Sequence, residues 1–549
     1  VLTGLFLLGI GLFGLYWDVA FHIDFGRDDN LFTPSHTMIV LALGGLLVTA
    51  GVVVLFATLE HAPVGKRVAG LHVPWSAVLL GALGLGGLVA FPLDNLWHVA
   101  FGVDVTLWSP THLMLVTGGG LAPIALWLML VEGKPGATPT LPGRIVEVVV
   151  LGAILTGLTV YQGEFDFGVP QFQVVYLPVL VAIAAGLALV LARVALGRGG
   201  ALKAVLAFLV LRGVVALLVG GALNHTVPRF PLYLAAAVAV EATGYSVGTE
   251  RRLRFAVVSG ALVGTVGLAG EIPLVAALHW FPVSAAVLPK AAILSVLAAI
   301  AAAVVGAGLS RAQAVGPADA GVAPHPSGRG DVVGTPAVVV GLVALALVLA
   351  YPLPREVGPV QALIRLEPVG ALANVEVELQ PADAAVDASA FGVVAWQGGG
   401  RVMAELRQVG PGRYRSSRPV PVTGTWKSMV GLQRGNQVMA APIYLPADDK
   451  IGASAIPALP TRQVAFVRNT DILLREAHGG PTWPATAAYS GLALVVAGWL
   501  ALFALSVARL SAAPATATSS SSECRVAPGT APPRAGGRPR SDGLARARH

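Results

Sequence analysis

Cysteine is almost missing from this chain. Cys524 is the only one in 549 residues, and it lies in a C-terminal stretch rich in Ala, Pro, Ser, Thr and Arg. One thiol cannot close a disulfide within the chain, and it offers no set of thiolates to a metal. Charge is scarce as well. Asp, Glu, Lys and Arg make up 12% of the residues, about half the share of about 25% found in soluble domains. There is no Walker A phosphate loop, no Gly-x-Gly-x-x-Gly with a following acidic residue, and no CxxCH haem attachment. A primary ATP-driven pump is therefore set aside.

What fills the chain is apolar: 55% of residues are hydrophobic, and the mean hydropathy is +0.75. Many windows exceed the roughly 18 apolar residues needed to cross a bilayer. Alternating barrel-type strands are absent from those windows, so the spans are helices. The reading is an all-α polytopic membrane protein. It has about twelve transmembrane helices and an extracytoplasmic β-sandwich inserted before the last one. The spans fall at 1–21, 37–58, 74–95, 111–131, 145–162, 172–193, 203–222, 231–247, 254–270, 283–307, 335–352 and 485–508. The first starts at residue 1 without a basic leader and runs straight into a motif, so it reads as a span and not a cleaved signal peptide.

The net charge of +7 does not point to nucleic acid, because the positive residues sit in short loops and the tail. Lys66 and Arg67 follow span 2, Lys134 and Arg144 span 4, Arg193, Arg198 and Lys203 span 6, and Arg251, Arg252 and Arg254 span 8. Arg311 and Arg329 follow span 10, and seven arginines from Arg509 onward follow span 12. Every even-numbered span thus ends on a basic side, which the positive-inside rule places in the cytoplasm. Both termini are then cytoplasmic, and the odd-numbered spans end outside. The expected location is a plasma membrane, with the lipid bilayer as the obligatory partner.

The domain plan follows. Residues 1–132 hold two duplicated hairpins, and 133–307 hold further spans. A Gly/Ala/Pro-rich cytoplasmic linker covers 308–334, followed by the span at 335–352. The stretch 355–450 alternates like the strands of a sandwich of about 100 residues. Residues 451–484 connect it to the span at 485–508, and 509–549 form a disordered basic tail.

Residues 17–36 organise the rest: WDVAFHIDFGRDDNLFTPSH. The chain repeats them at 93–112 as LDNLWHVAFGVDVTLWSPTH. Asp18 maps to Asp94, His22 to His98 and His36 to His112. An Asp and a His at i and i+4 share one helix face, and the second His returns at the start of the next span. Ionisable groups in a membrane cost roughly 2.5–3.5 kcal/mol each on insertion scales, so they have partners or a job. One carboxylate and two imidazoles fit a transition metal, with copper, zinc and iron all open. The bland alternative is a hydrogen-bonded network that pins two helix ends.

Asp28 and Asp104 read as turn formers or as hydrogen-bond acceptors for a ligand histidine. Asp24 has no counterpart, since residue 100 is Ala, and reads as solvated. The later outside loops carry Glu164 and Asp166 without a His, then His225, then Glu271 and His279. The last three form a candidate entry or exit path for metal. In the sandwich, Met403, Met429 and Met439 are the soft-ligand candidates, with core packing the commoner role for Met.

Asp18 and His22 on a helix, then Arg27-Asp28, then Phe32-Thr33-Pro34-Ser35-His36, resemble a signature of the copper membrane monooxygenases, the particulate methane and ammonia monooxygenases. In that family the signature belongs to the C-type subunit. The resemblance implies copper held by Asp18, His22 and His36. It extends to Asp94, His98 and His112, although Val103 replaces Arg27 and Ser109 replaces Thr33. The stretch GTWKSMVGLQ…VMAAPIYLP is more weakly similar to YtkA/FixH-like extracytoplasmic domains. From these features we expect copper acquisition, transfer or storage, with zinc or iron as alternative metals. A monooxygenase-like enzyme and an assembly factor for a membrane oxidase complex are the other two readings. Expected partners are other membrane subunits or an extracytoplasmic copper carrier.

Overall fold

The computed structural model describes residues 1–26, 30–101, 106–133, 140–278, 287–313, 333–350, 358–435, 437–449, 452–473 and 483–512. The helices are those that long apolar runs dictate. The first two are α1 (Leu2–Asp24) and α2 (Pro34–Leu59), followed by the short β1–β2 ribbon (Lys66–Val68, Leu71–Val73). Then come α3 (Trp75–Phe101), α4 (Pro110–Gly133), α5 (Leu141–Thr159) and the one-turn α6 (Gly163–Asp166). α7 (Tyr176–Leu196), α8 (Gly200–Ala216), α9 (Leu234–Ser246), α10 (Arg252–Leu262), α11 (Leu268–Leu278), α12 (Leu288–Leu309) and α13 (Thr335–Ala350) complete the first block. Among the described residues, ten helices or continuous helix runs are long and apolar enough to cross a membrane. The spans expected at 231–247 and 335–352 correspond to the shorter α9 and α13.

The duplicated string appears as duplicated architecture. In each copy the motif's Asp and first His lie in the last two turns of a helix, and its second His lies in the first turn of the next. Thr33 caps α2 by accepting the His36 N–H at 3.2 Å, with Pro34 at the first helical position. Ser109 does the same for His112 at 3.3 Å ahead of Pro110. The Thr-to-Ser change between the copies therefore keeps the cap, which needs only a side-chain oxygen.

Small residues let the helices touch. A Cβ placed on Gly157 of α5 would come 2.1 Å from the Gly120 carbonyl oxygen of α4. Backbones meet there, as in tightly packed membrane helices. Gly157→Val is expected to force α4 and α5 apart. The cost is about 3 kcal/mol, because the atom in the way is backbone and cannot rotate aside. Thermal unfolding in detergent checks it, and an unchanged transition would contradict the close approach.

The sandwich has strands β3 (Gln361–Val369), β4 (Leu372–Gln380), β5 (Ala388–Trp396), β6 (Arg401–Gly410), β7 (Arg413–Ser416), β8 (Val420–Pro421), β9 (Lys427–Arg434), β10 (Gln437–Tyr444), β11 (Thr461–Ala465) and β12 (Val467–Arg468). Their order is β11-β3-β4-β7-β6-β5-β9-β10-β12, with β8 against β4. β6 turns the corner: Arg401–Glu405 pairs with β5, and Leu406–Gly410 pairs with β7. Alternate residues such as Val375, Val377, Val393, Val430 and Leu432 fill the core between the two sheets.

The sheets extend past the expected limit of 450. β11 joins the edge of one sheet against β3, and β12 joins the edge of the other against β10. Phe466 between them is 4% exposed and packs in the core. The stretch expected to be a plain connector therefore closes an edge of each sheet. Its strands are short and largely exposed, so their apolar alternation is faint in the sequence.

Candidate metal centres

Site 1 forms where α1 ends and α2 begins. The carboxylate of Asp18 lies 3.0 Å from His36 Nε2 and 3.6 Å from His22 Nε2. Ser35 Oγ donates to Asp18 Oδ1 at 2.9 Å. Site 2 repeats the plan. Asp94 Oδ2 lies 3.3 Å from His112 Nε2 and 3.6 Å from His98 Nε2. Thr111 Oγ1 donates to Asp94 Oδ1 at 2.6 Å. In each set the three ligand atoms lie within 4.8 Å of one another.

The far side of the rings decides what the near side can do. His22 Nδ1 meets the Gly26 carbonyl at 2.9 Å, and His36 Nδ1 meets the Leu31 carbonyl at 2.8 Å. His112 Nδ1 meets the Thr106 carbonyl at 2.7 Å. A carbonyl only accepts, so Nδ1 carries the hydrogen and donates. In the neutral ring Nε2 then presents a lone pair, and it faces a carboxylate that also presents lone pairs. Acceptor against acceptor is stable only if a proton or a metal cation stands between. His98 Nε2 is buried with no hydrogen-bond partner among the described residues. Backbone carbonyls that orient an imidazole with Nε2 turned inward are what a metal-ligating His needs. The donor set and its spacing fit one divalent ion per triad, with bonds of about 2.0–2.2 Å.

Both triads open into one cavity of about 550 Å³. They therefore lie at the same end of the helix bundle. Phe91 of α3, about one turn before Asp94 of site 2, lines the cavity with its ring 5.6 Å from that of His36 of site 1. The sandwich supplies another wall through the β6–β5–β9 part of its sheet, with Val394, Trp396, Met403, Met429 and Gln433 among the lining residues. Met439 is a 1% exposed residue of the core between the sheets, Met429, 6% exposed, packs in a second cluster with Leu445 and Ile472, and Arg401 Nη1 lies 3.6 Å from the Met403 sulfur. The sandwich is thus the roof of the chamber that holds both triads.

Sequence reasoning passed over Glu164 because no histidine stands beside it. Its Oε1 accepts from Thr106 Oγ1 at 2.5 Å and from the Leu107 N–H at 2.8 Å, and its Oε2 accepts from the Gln171 N–H at 2.8 Å. Thr106 is the residue whose carbonyl orients His112, so Glu164 fixes site 2 through the loop.

Asp24 is not solvated, as the sequence suggested. It is 1% exposed. His225 Nδ1 lies 3.0 Å from its carboxylate, the Thr226 N–H donates at 2.8 Å, and Thr226 Oγ1 donates as well. The lack of a counterpart in the repeat reflects a partner drawn from far along the chain. His225 is thereby engaged away from the cavity wall. Glu271 accepts from the Leu232 N–H at 3.0 Å at the start of α9. Neither His225 nor Glu271 lines the cavity. His279, Asp28 and Asp104 lie outside the described residues. At the junction near Asp24, desolvation and then the neighbouring Arg229 pull the Arg401 guanidinium down to about 9, against the pull of Asp24. It stays charged at neutral pH.

The arrangement is that of a multi-helix membrane protein with a β-sandwich roofing two clusters of metal-ligand type. Comparison of the chain with models of protein families, with curated proteins and with solved structures finds no match. The monooxygenase resemblance therefore rests on residues 17–36 and 93–112 alone.

Proposed function

We propose that this chain is a membrane copper-binding protein that acquires, transfers or stores copper at two sites on the outer face of a bacterial plasma membrane. Asp18, His22 and His36 hold one ion, and Asp94, His98 and His112 hold the other. One observation carries the reading: backbone carbonyls turn both imidazoles of site 1, and that of His112 in site 2, so that Nε2 faces the carboxylate of its own site. Copper is preferred over zinc and iron on the resemblance, and a ligand set of nitrogen and oxygen suits Cu(II). The basic loops after even-numbered spans support twelve spans with both termini in the cytoplasm and the chamber outside. A soluble copper carrier arriving from outside then meets the sandwich first.

The test is metal analysis of the purified protein. About two copper ions per chain, with nitrogen hyperfine structure in the Cu(II) resonance, is the expected result. Metal-free protein that also refuses added Cu(II) would end the proposal.

A second reading, oxidation of a small substrate at these ions, draws on the chamber itself. At about 550 Å³ it is in the range of small-molecule pockets, about 300–1,000 Å³. Oxygen consumption by the copper-loaded protein with small hydrocarbons or ammonia separates the two readings.

Binding an ion displaces the protons that compete for Nε2. Copper affinity is therefore expected to be full above the reference His pKa of about 6.5 and to fall as pH drops below about 6. A binding isotherm unchanged between pH 7.5 and pH 5 would contradict lone-pair ligation.

A further inference from the structure

The two sites share their ligands but not their neighbours. The turn between β5 and β6 sits on the end of α1. The Gln397 N–H donates to the Ile23 carbonyl at 2.9 Å, and the Gly399 N–H donates to the Asp24 carbonyl at 2.9 Å. Gln397 Nε2 donates to the His22 carbonyl at 3.3 Å. Carbonyls in the last turn of a helix have no partner within the helix, so the sandwich caps α1 from outside.

The same glutamine reaches the group that orients His22. A Cβ on Gly26 would come 3.2 Å from Gln397 Cδ, and Gly26 has φ +98°, a conformation that favours glycine. The Gly26 carbonyl is the acceptor for His22 Nδ1. Gln397 itself is held at φ +63°, a left-handed backbone that a non-glycine residue adopts only where its surroundings enforce it. Site 2 leans instead on Glu164 and Thr106, which belong to the membrane part of the chain; Asn469, just after β12, comes no nearer than Gln171, to whose Oε1 it donates at 2.9 Å.

We propose that Gln397 is a positioning residue for site 1, and that ion binding at site 1 and docking of the sandwich are one coupled equilibrium. This rests on the metal reading above. An ion on Asp18, His22 and His36 fixes the last turn of α1 and so tightens the roof. A lifted roof frees that turn and weakens the ion's hold by the same factor, because coupling of this kind is reciprocal. The roof touches site 2 only at one remove, through Asn469 on Gln171, so lifting it weakens that site far less. The duplication has thus produced one site gated by the roof and one that depends little on it. Any partner that pulls on the sandwich releases the ion of site 1 first.

The experiment uses the full chain in detergent and Cu(II) as the probe. One background keeps only site 1, through His98→Ala with His112→Ala. The other keeps only site 2, through His22→Ala with His36→Ala. Adding Gln397→Ala is expected to lower Cu(II) affinity about tenfold in the first, the lower end for groups that orient metal ligands. In the second background the change should stay under about twofold. Hydrogen exchange of residues 396–401, measured without touching Gln397, is expected to slow on adding Cu(II) in the first background only. That readout stands even if Gln397→Ala fails to fold. Equal losses in both backgrounds, no loss at site 1, or exchange indifferent to Cu(II) would overturn the coupling while leaving copper binding intact. Two backgrounds that bind no Cu(II) at all would overturn the metal reading and the coupling together.

Discussion

His22→Ala combined with His98→Ala is expected to leave the purified protein essentially without copper, while its fold survives. Each substitution removes one imidazole from a set of three ligands. Loss of a group that merely orients a ligand costs about 10–100-fold in metal affinity, and loss of the ligand itself costs more. Stability should change little in the metal-free state. His22 is half-exposed, and its contact with Asp18, at 3.6 Å, is the longer of the two in its site. The alternative, in which each triad only pins two helix ends, makes the opposite forecast. There the bridging cation is a proton, so the wild type carries no copper and the double variant unfolds earlier. Metal content and thermal unfolding of the same two preparations separate the cases. Asp18→Asn with Asp94→Asn sharpens the test. It keeps the shape and removes the charge, so a metal site should fail while a hydrogen-bonded pin should largely hold.

The ligands were visible in the sequence because duplication gives each of them a partner at a constant offset. The same offset relates Ser35 to Thr111, and the structure places both hydroxyls on the site carboxylates. That correspondence was hidden by the change of residue type, although the hydroxyl is all the contact requires. Where a role depends on a partner from outside the repeat, periodicity and spacing are silent. Asp24 meets His225 across most of the membrane part of the chain. Glu164 works through the Thr106 loop, and Gln397 arrives from the sandwich. Such contacts exist only once the helices are packed. The fold divides the same way. Long apolar runs announce the helices, and alternation announces the strands that bury one face. The edge strands β11 and β12 bury little, so they leave almost no pattern to read.

Breaking the ion pair between Arg212 and Asp166 is expected to destabilise the protein by about 3–5 kcal/mol, because the surviving partner becomes an uncompensated buried charge. The two side chains are 1% and 0% exposed. Arg212 Nη2 donates to Asp166 Oδ2, and Tyr16 OH donates to the same oxygen at 2.9 Å. The guanidinium also lies 4.0 Å from the Tyr16 ring centre and 4.9 Å from that of Phe230. These residues tie α1, α6 and α8 together beneath the chamber. Tyr16 is two residues before Asp18, and Asp166 is two residues after Glu164, so the pair anchors the supports of both sites. Asp166→Leu and Arg212→Met should each lower the unfolding transition steeply. Their combination should recover most of the loss, since a buried pair replaced by apolar groups of similar volume is often neutral. Copper affinity then decides what the pair is for. If it serves only to neutralise itself, affinity follows stability and returns in the double variant. If the double variant is stable but still binds copper weakly, the charges hold Asp18 and Glu164 in register, and apolar packing cannot replace them.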